Sequence, residues 1–138
     1  MMRRTPATIL VLIGLLGVIC VANVAPTMED QFVATIQDTP VDFVLRASDE
    51  DIDPIDPTAH PMRFVVLEGP THGVLLGDLT DVRYEGPHDA VVAMTYVPAD
   101  GYVGTDLVTI AVYDPFSETA QGTTRIAVSY THLTLPTN

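Results

Sequence analysis

Beyond residue 30, apolar residues alternate with polar ones along much of this 138-residue chain. Val41, Phe43 and Leu45 interleave with Asp42, Val44 and Arg46, and Val108, Ile110 and Val112 interleave with Thr109, Ala111 and Tyr113. A period of two is the sign of a strand with one buried face. The same reading places strands at 31–36, 62–68, 74–76, 91–97 and 123–128, with 82–85 pairing locally. Turn chemistry separates them: Gln37-Asp38-Thr39-Pro40, then Gly69-Pro70-Thr71-His72-Gly73. Pro54, Pro57 and Pro61 keep Asp49–Pro61 a long loop. The stretch Thr95–Asp114 reads as strand, corner, strand and loop, with Pro98 ending the first strand and Asp100, Gly101 and Gly104 turning the chain. No segment after the first 25 residues has helical periodicity. About seven strands in roughly 100 residues is the rhythm of an all-β sandwich, large enough for one modest core.

The N-terminus follows a different pattern. Arg3 and Arg4 precede an almost wholly apolar run, Ile9 to Val21, and Ala22 and Ala25 supply small residues after it. Met1–Ala25 is therefore expected to be an export signal, with an uncleaved membrane anchor as the alternative. At the other end, Ser129–Asn138 (SYTHLTLPTN) breaks the strand pattern. It resembles translated adapter sequence at the end of a gene fragment and is expected to be a tail outside the domain.

Charge narrows the partners. The chain has 18 acids against 6 basic residues, and every basic residue is Arg. All the acids lie at or after Glu29, so without Arg3 and Arg4 the remainder has 4 basic residues against 18 acids, a net −14. That argues against nucleic acid or an anionic membrane surface and fits cation binding or solubility outside the cell. Any membrane contact is expected only through the N-terminal segment. The single Cys20 lies in that segment and there is no Trp, so the cysteine–tryptophan–cysteine core of antibody domains is absent.

Four stretches in order carry a resemblance. They are Pro26-x-x-Glu29-Asp30-Gln31 with Asp38-Thr39-Pro40-Val41, the acidic Leu45-x-Ala47-Ser48-Asp49-x-Asp51-x-Asp53, the turn Gly69-Pro70-x-His72-Gly73-x-Leu75, and Tyr96-x-Pro98-x-x-Gly101-Tyr102-x-Gly104-Thr105-Asp106. Over about 26–128 the chain resembles a bacterial Ig-like or cadherin-like tandem repeat of exported surface proteins. The resemblance implies an antiparallel Greek-key sandwich, calcium at repeat junctions, and neighbouring repeats or other surface proteins as partners. In the family's acidic loop a glycine usually follows the second aspartate; here Ile52 stands there and Pro54–His60 lengthens the loop.

Calcium takes about six to eight oxygen ligands. Asp49, Asp51 and Asp53 alternate, which can present three carboxylates from one side of an extended loop. In an up-and-down reading, Glu29, Asp30 and Asp114 share their pole, while Asp38, Asp100 and Asp106 share the other. These residues are the candidate Ca2+ ligands, Asp106 included, although it can equally hydrogen-bond the backbone at the corner. An acidic loop can also be simply solvated, and Asp is a common turn residue.

Enzymatic chemistry is not expected. His60, His72 and His88 sit in loops, His132 lies in the tail, and no pair has zinc-ligand spacing. Ser48, Ser117 and Ser129 lack a nucleophile elbow. Phe43, Phe64, Tyr96, Tyr102 and Tyr113 suit core and corner positions. The expectation is a non-catalytic structural or adhesive repeat of a larger secreted or surface protein, stabilised by calcium. The alternative is a carbohydrate- or ligand-binding accessory module of a secreted enzyme, which would show an exposed aromatic row.

Overall fold

A computed structural model describes residues 22–130. The export signal expected over residues 1–25 therefore lies outside the described residues up to position 21, as does the tail from 131 onward, with Cys20 and His132.

Nine strands follow in chain order: β1 (Thr27–Met28), β2 (Gln31–Ile36), β3 (Val41–Ser48), β4 (Arg63–Glu68), β5 (Gly73–Leu76), β6 (Arg83–Glu85), β7 (Asp89–Pro98), β8 (Gly104–Tyr113) and β9 (Thr119–Ser129). They form two sheets packed face to face. One has the order β1-β3-β7-β5, with β6 also pairing β7; the other has the order β2-β9-β8-β4. This is the all-β sandwich that the alternation predicts and the Ig-like one that the resemblance implies. One turn of 3-10 helix, Pro57–Ala59, punctuates the proline-rich loop.

The alternation decides which side chains meet. Phe43, Leu45 and Ala47 of β3 lie opposite Met94, Val92 and Ala90 of β7 within one layer, with Tyr96 beside them, and Val108, Ile110, Val112 and Ile126 close on them from the other. Leu45, Tyr96, Ile110 and Ile126 are fully buried. At roughly 1.5–3 kcal/mol for each large apolar side chain removed from water, this shared layer is the main stabilising element. All the strands and the whole core fall within Thr27–Ser129, so this stretch holds its own core.

Two features depart from a plain antiparallel scheme. The β2–β9 pair is parallel, Gln31 opposite Thr124 through Ile36 opposite Ser129. The first strand thus begins on one sheet as β1, crosses at Glu29–Asp30, and finishes on the other as β2. Gly122 makes the crossing possible: a Cβ there would lie 2.9 Å from both the Glu29 carbonyl oxygen and Met28 Cγ. The second feature is a bulge in β4, where Val66 faces Ile110 and Glu68 faces Thr109, leaving Leu67 unopposed.

Gly122→Val should push the crossing strand off β9 and cost about 1–3 kcal/mol, as overpacking commonly does. Urea unfolding monitored by circular dichroism checks this; a wild-type midpoint would show that the crossing is not tightly seated.

Candidate functional site

The two poles of the sandwich handle their acids in different ways. At one pole β8 begins with Gly104, whose φ of +149° suits glycine. Two residues later Asp106 points inward and is 2% exposed. Its Oδ1 accepts from the backbone N–H of Thr71 (2.8 Å) and of Leu107 (3.1 Å) and from the Thr71 hydroxyl (3.2 Å). Its Oδ2 accepts from the His72 N–H (2.7 Å) and the Tyr96 hydroxyl (3.0 Å). The His72 ring stacks on Tyr102, with centroids 4.3 Å apart, and Nδ1 shares a hydrogen bond with the Thr71 hydroxyl at 2.8 Å. Gln37 and Asp38 stitch the neighbouring turn, bonding the Gly101 carbonyl oxygen and N–H at 2.7 Å each.

Burial by itself would raise the Asp106 pKa. The donors from Thr71, His72, Tyr96 and Leu107 outweigh it and hold the carboxyl below the ordinary carboxylate range. Burial first, and then the adjacent Asp106, push the Tyr96 phenol up. Asp106 is therefore a buried anion surrounded by N–H and O–H dipoles. Both oxygens are directed at donors, an arrangement that suits the corner role rather than a cation.

The opposite pole gathers Asp49, Asp51 and Asp114. Asp49 is 3% exposed and its Oδ1 accepts from the Asp51 N–H at 2.9 Å. Asp51 Oδ2 accepts from the Val24 N–H at 2.6 Å. Asp114 Oδ1 accepts from the N–H groups of Phe116 (3.0 Å) and Glu118 (2.7 Å), and its Oδ2 from the Asn23 amide (2.7 Å). Here the balance runs the other way. Burial pushes the Asp49 carboxyl up, and the charges of Asp51 and Asp114 add to it, against a backbone hydrogen bond and nearby His88.

Of the sequence-derived candidates, the structure brings Asp49, Asp51 and Asp114 together. Asp53 turns outward and accepts from the Ile55 N–H within its own loop. Glu29 and Asp30 lie at the β1–β2 crossing instead, where Asp30 accepts from the Thr123 N–H at 2.7 Å, four positions in from the start of β9. Up-and-down reasoning misplaces them because it has no strand that changes sheets. Among the described residues, no three His, Cys, Asp or Glu side chains form a ready metal-binding group. The contribution of Asn23 and Val24 to this pole has no signal in the sequence, since neither residue type marks it.

The family profile described as bacterial Ig domain matches residues 23–127. No curated protein matches. Among solved structures, the ASH / PapD-like domain of human CEP192 aligns with a TM-score of 0.52 at 11% identity, covering 80% of this chain and 89% of that one. An endo-fucoidan hydrolase of glycoside hydrolase family 107 aligns with a TM-score of 0.47 at 12% identity, over 78% of this chain; the chain spans 14% of that protein's length. A PKD domain of human KIAA0319 aligns with a TM-score of 0.38 at 14% identity, over 82% of this chain and 86% of that one. At such identities the likeness to CEP192 speaks to the sandwich fold.

The two acids predict opposite pH effects. A carboxyl held low in the fold contributes stability that is full above its unfolded value, near ~3.9, and is lost as pH falls through the folded value. A carboxyl held high contributes stability at low pH that is lost as pH rises through its folded value. Asp106→Asn should therefore destabilise at pH 7, by at least about 2 kcal/mol given the charged hydrogen bonds lost, and flatten the acid limb of stability. Asp49→Asn should stabilise at pH 7 in chelator. Thermal unfolding between pH 3 and 8 tests both; equal behaviour of the two variants would refute the assignment.

Proposed function

The chain belongs to the bacterial Ig domain family, and we propose that it serves as a non-catalytic structural or adhesive module in a larger exported protein. The observation that carries this reading is the placement of entry and exit. Asn23 and Val24 are held at the Asp114–Asp51 pole. β9 starts beside Tyr113 and runs to Ser129, opposite Ile36 at the far pole. Chain entering at one pole and leaving at the other makes a unit that extends a rod head to tail. A ten-residue strand such as β8 sets its length at roughly 34 Å plus loops.

The titratable groups fit the same reading. Asp106 and Tyr96 are engaged in joining the two sheets. The exposed aromatic residues Phe32, Phe116 and Tyr130 stand on the outer face of β2 and in segments at opposite poles, so they do not make the row that a sugar-binding face requires.

Calcium is the sharper part of the proposal. Of the three acids at the entry pole, Asp49 and Asp51 would hold it, since both Asp114 oxygens already accept from N–H donors, as those of Asp106 do. Four of the three acids' six carboxylate oxygens already accept from N–H donors, leaving Asp49 Oδ2 and Asp51 Oδ1 without a donor among the described residues. Two such oxygens fall short of the roughly six to eight that calcium takes. The chain thus fits part of a site, to be completed by an adjoining module. Bound calcium would offset the burial and the neighbouring charges that raise the Asp49 pKa and so stabilise the pole.

Small-angle scattering of a two-copy tandem of residues 22–130 should show a maximum dimension close to twice that of one copy; a folded-back pair would refute the rod. In thermal unfolding, millimolar calcium should raise the midpoint of the tandem more than that of the single copy. The rise should vanish in Asp49→Asn/Asp51→Asn. No rise in either form would remove calcium and leave a passive spacer.

A further inference from the structure

β4 is an edge. It pairs with β8 on one side and with no described strand on the other. Its sequence is RFVVLE, a basic end, an acidic end and apolar residues between. Open edges of this kind are where sheets add strands, and proteins usually guard them with Lys, Pro, inward charges or bulges. Here there is no Lys or Pro, and the bulge has a particular consequence.

In a regular strand, residues five apart point to opposite faces. With Leu67 as the extra residue, Arg63, Val65 and Glu68 all lie on the outer face, opposite Tyr113, Ala111 and Thr109. Phe64 and Val66 turn inward, opposite Val112 and Ile110. The bulge thus converts six residues into five ladder positions with the charges at the two outer ends of one face. Such a strand is complementary to its own antiparallel copy. Centring the pair on Val65 opposite Val65 sets Arg63 opposite Glu68 twice, and Phe64 opposite Val66 twice, with every facing pair on the same side of the sheet.

The ground beside the edge is apolar. An open groove of about 630 Å³ runs between β4 and the segment leading into β6, floored by Met62 and Phe64 and walled by Leu79, Val82 and Tyr84. A second strand laid along β4 would place its inward Phe64 and Val66 over that groove.

We propose that two copies of this chain associate side by side through β4, antiparallel and centred on Val65, joining their four-stranded sheets into one of eight. The partner is a second copy because the charge pattern matches itself. The pairing is lateral and stands independently of the head-to-tail reading. The edge is short, so the association belongs to the weak class below the ~1,600 Å² of a standard interface.

Sedimentation equilibrium of residues 22–130 from ~10 µM to ~1 mM, a range suited to a weak pair, should show the average mass rising toward the dimer. Arg63→Glu and Glu68→Arg should each stay monomeric, because each sets like charges opposite one another. An equimolar mixture of the two should dimerise again, since each then supplies what the other lacks. The Glu68 side chain makes no hydrogen bond or ion pair among the described residues, so Glu68→Arg keeps the test alive if Arg63→Glu, which removes the guanidinium 4.7 Å from the Tyr113 ring centroid, fails to fold. Wild-type monomer throughout the range would overturn the proposal. So would single variants that dimerise like wild type, or a mixture of folded variants that stays monomeric.

Discussion

One buried charge holds the exit pole together. Asp106 stands on β8 in one sheet, Tyr96 on β7 in the other, and Thr71 and His72 on the turn that carries the chain from β4 to β5. A carboxylate without partners could not sit at 2% exposure, because burying an ion costs several kcal/mol. Five donors converge on it, and each comes from an element that must already be in place. The clamp therefore both requires and enforces the register of the two sheets at this end. Gly73 shows how tight the fit is: a Cβ there would lie 2.6 Å from the Tyr96 ring.

The entry pole has the same chemistry with the opposite balance. Its donors come mainly from the acids' own loops and from the incoming chain at Asn23 and Val24. They leave Asp49 Oδ2 and Asp51 Oδ1 without a donor among the described residues, and burial, with the charges of Asp51 and Asp114 added, raises the Asp49 pKa. One pole is closed upon itself and the other retains unbalanced charge. For a module meant to meet a neighbour, that asymmetry is useful: the pole that still carries repulsion is the one that gains when something opposite in charge arrives.

Much of the fold is legible in the sequence because the sheets are half buried and alternation is strong there. Gln31–Ile36 is placed to the residue, and β3, β4, β7 and β8 are found with ends that coincide or differ by up to three positions. β1 is missed, because a two-residue strand has no period to read. Its absence from the sequence reading is what puts Glu29 and Asp30 at the wrong place. The convergence of Asp49 with Asp51 and Asp114 is foreseeable, since loops that follow alternate strands gather at one end. The state of each carboxylate is not foreseeable. Asp106 and Asp49 are the same residue type in comparable turn-rich sequence, and both are buried; at Asp106 the donors outweigh that burial, while at Asp49 neighbouring charges add to it.

The bulge in β4 illustrates how a small backbone irregularity can change what a surface says. Read as a regular strand, RFVVLE would carry Arg63 and Glu68 on opposite faces, and the two charges would have nothing to do with one another. The inserted Leu67 shifts the alternation by one position beyond Val66 and brings both to the outer face. The same shift leaves Leu67 exposed beside them. A bulge that served only to discourage edge pairing would need neither the charge at each end nor the uninterrupted apolar centre. Together those features give the edge a register, and an edge with a register can select a partner instead of merely avoiding one.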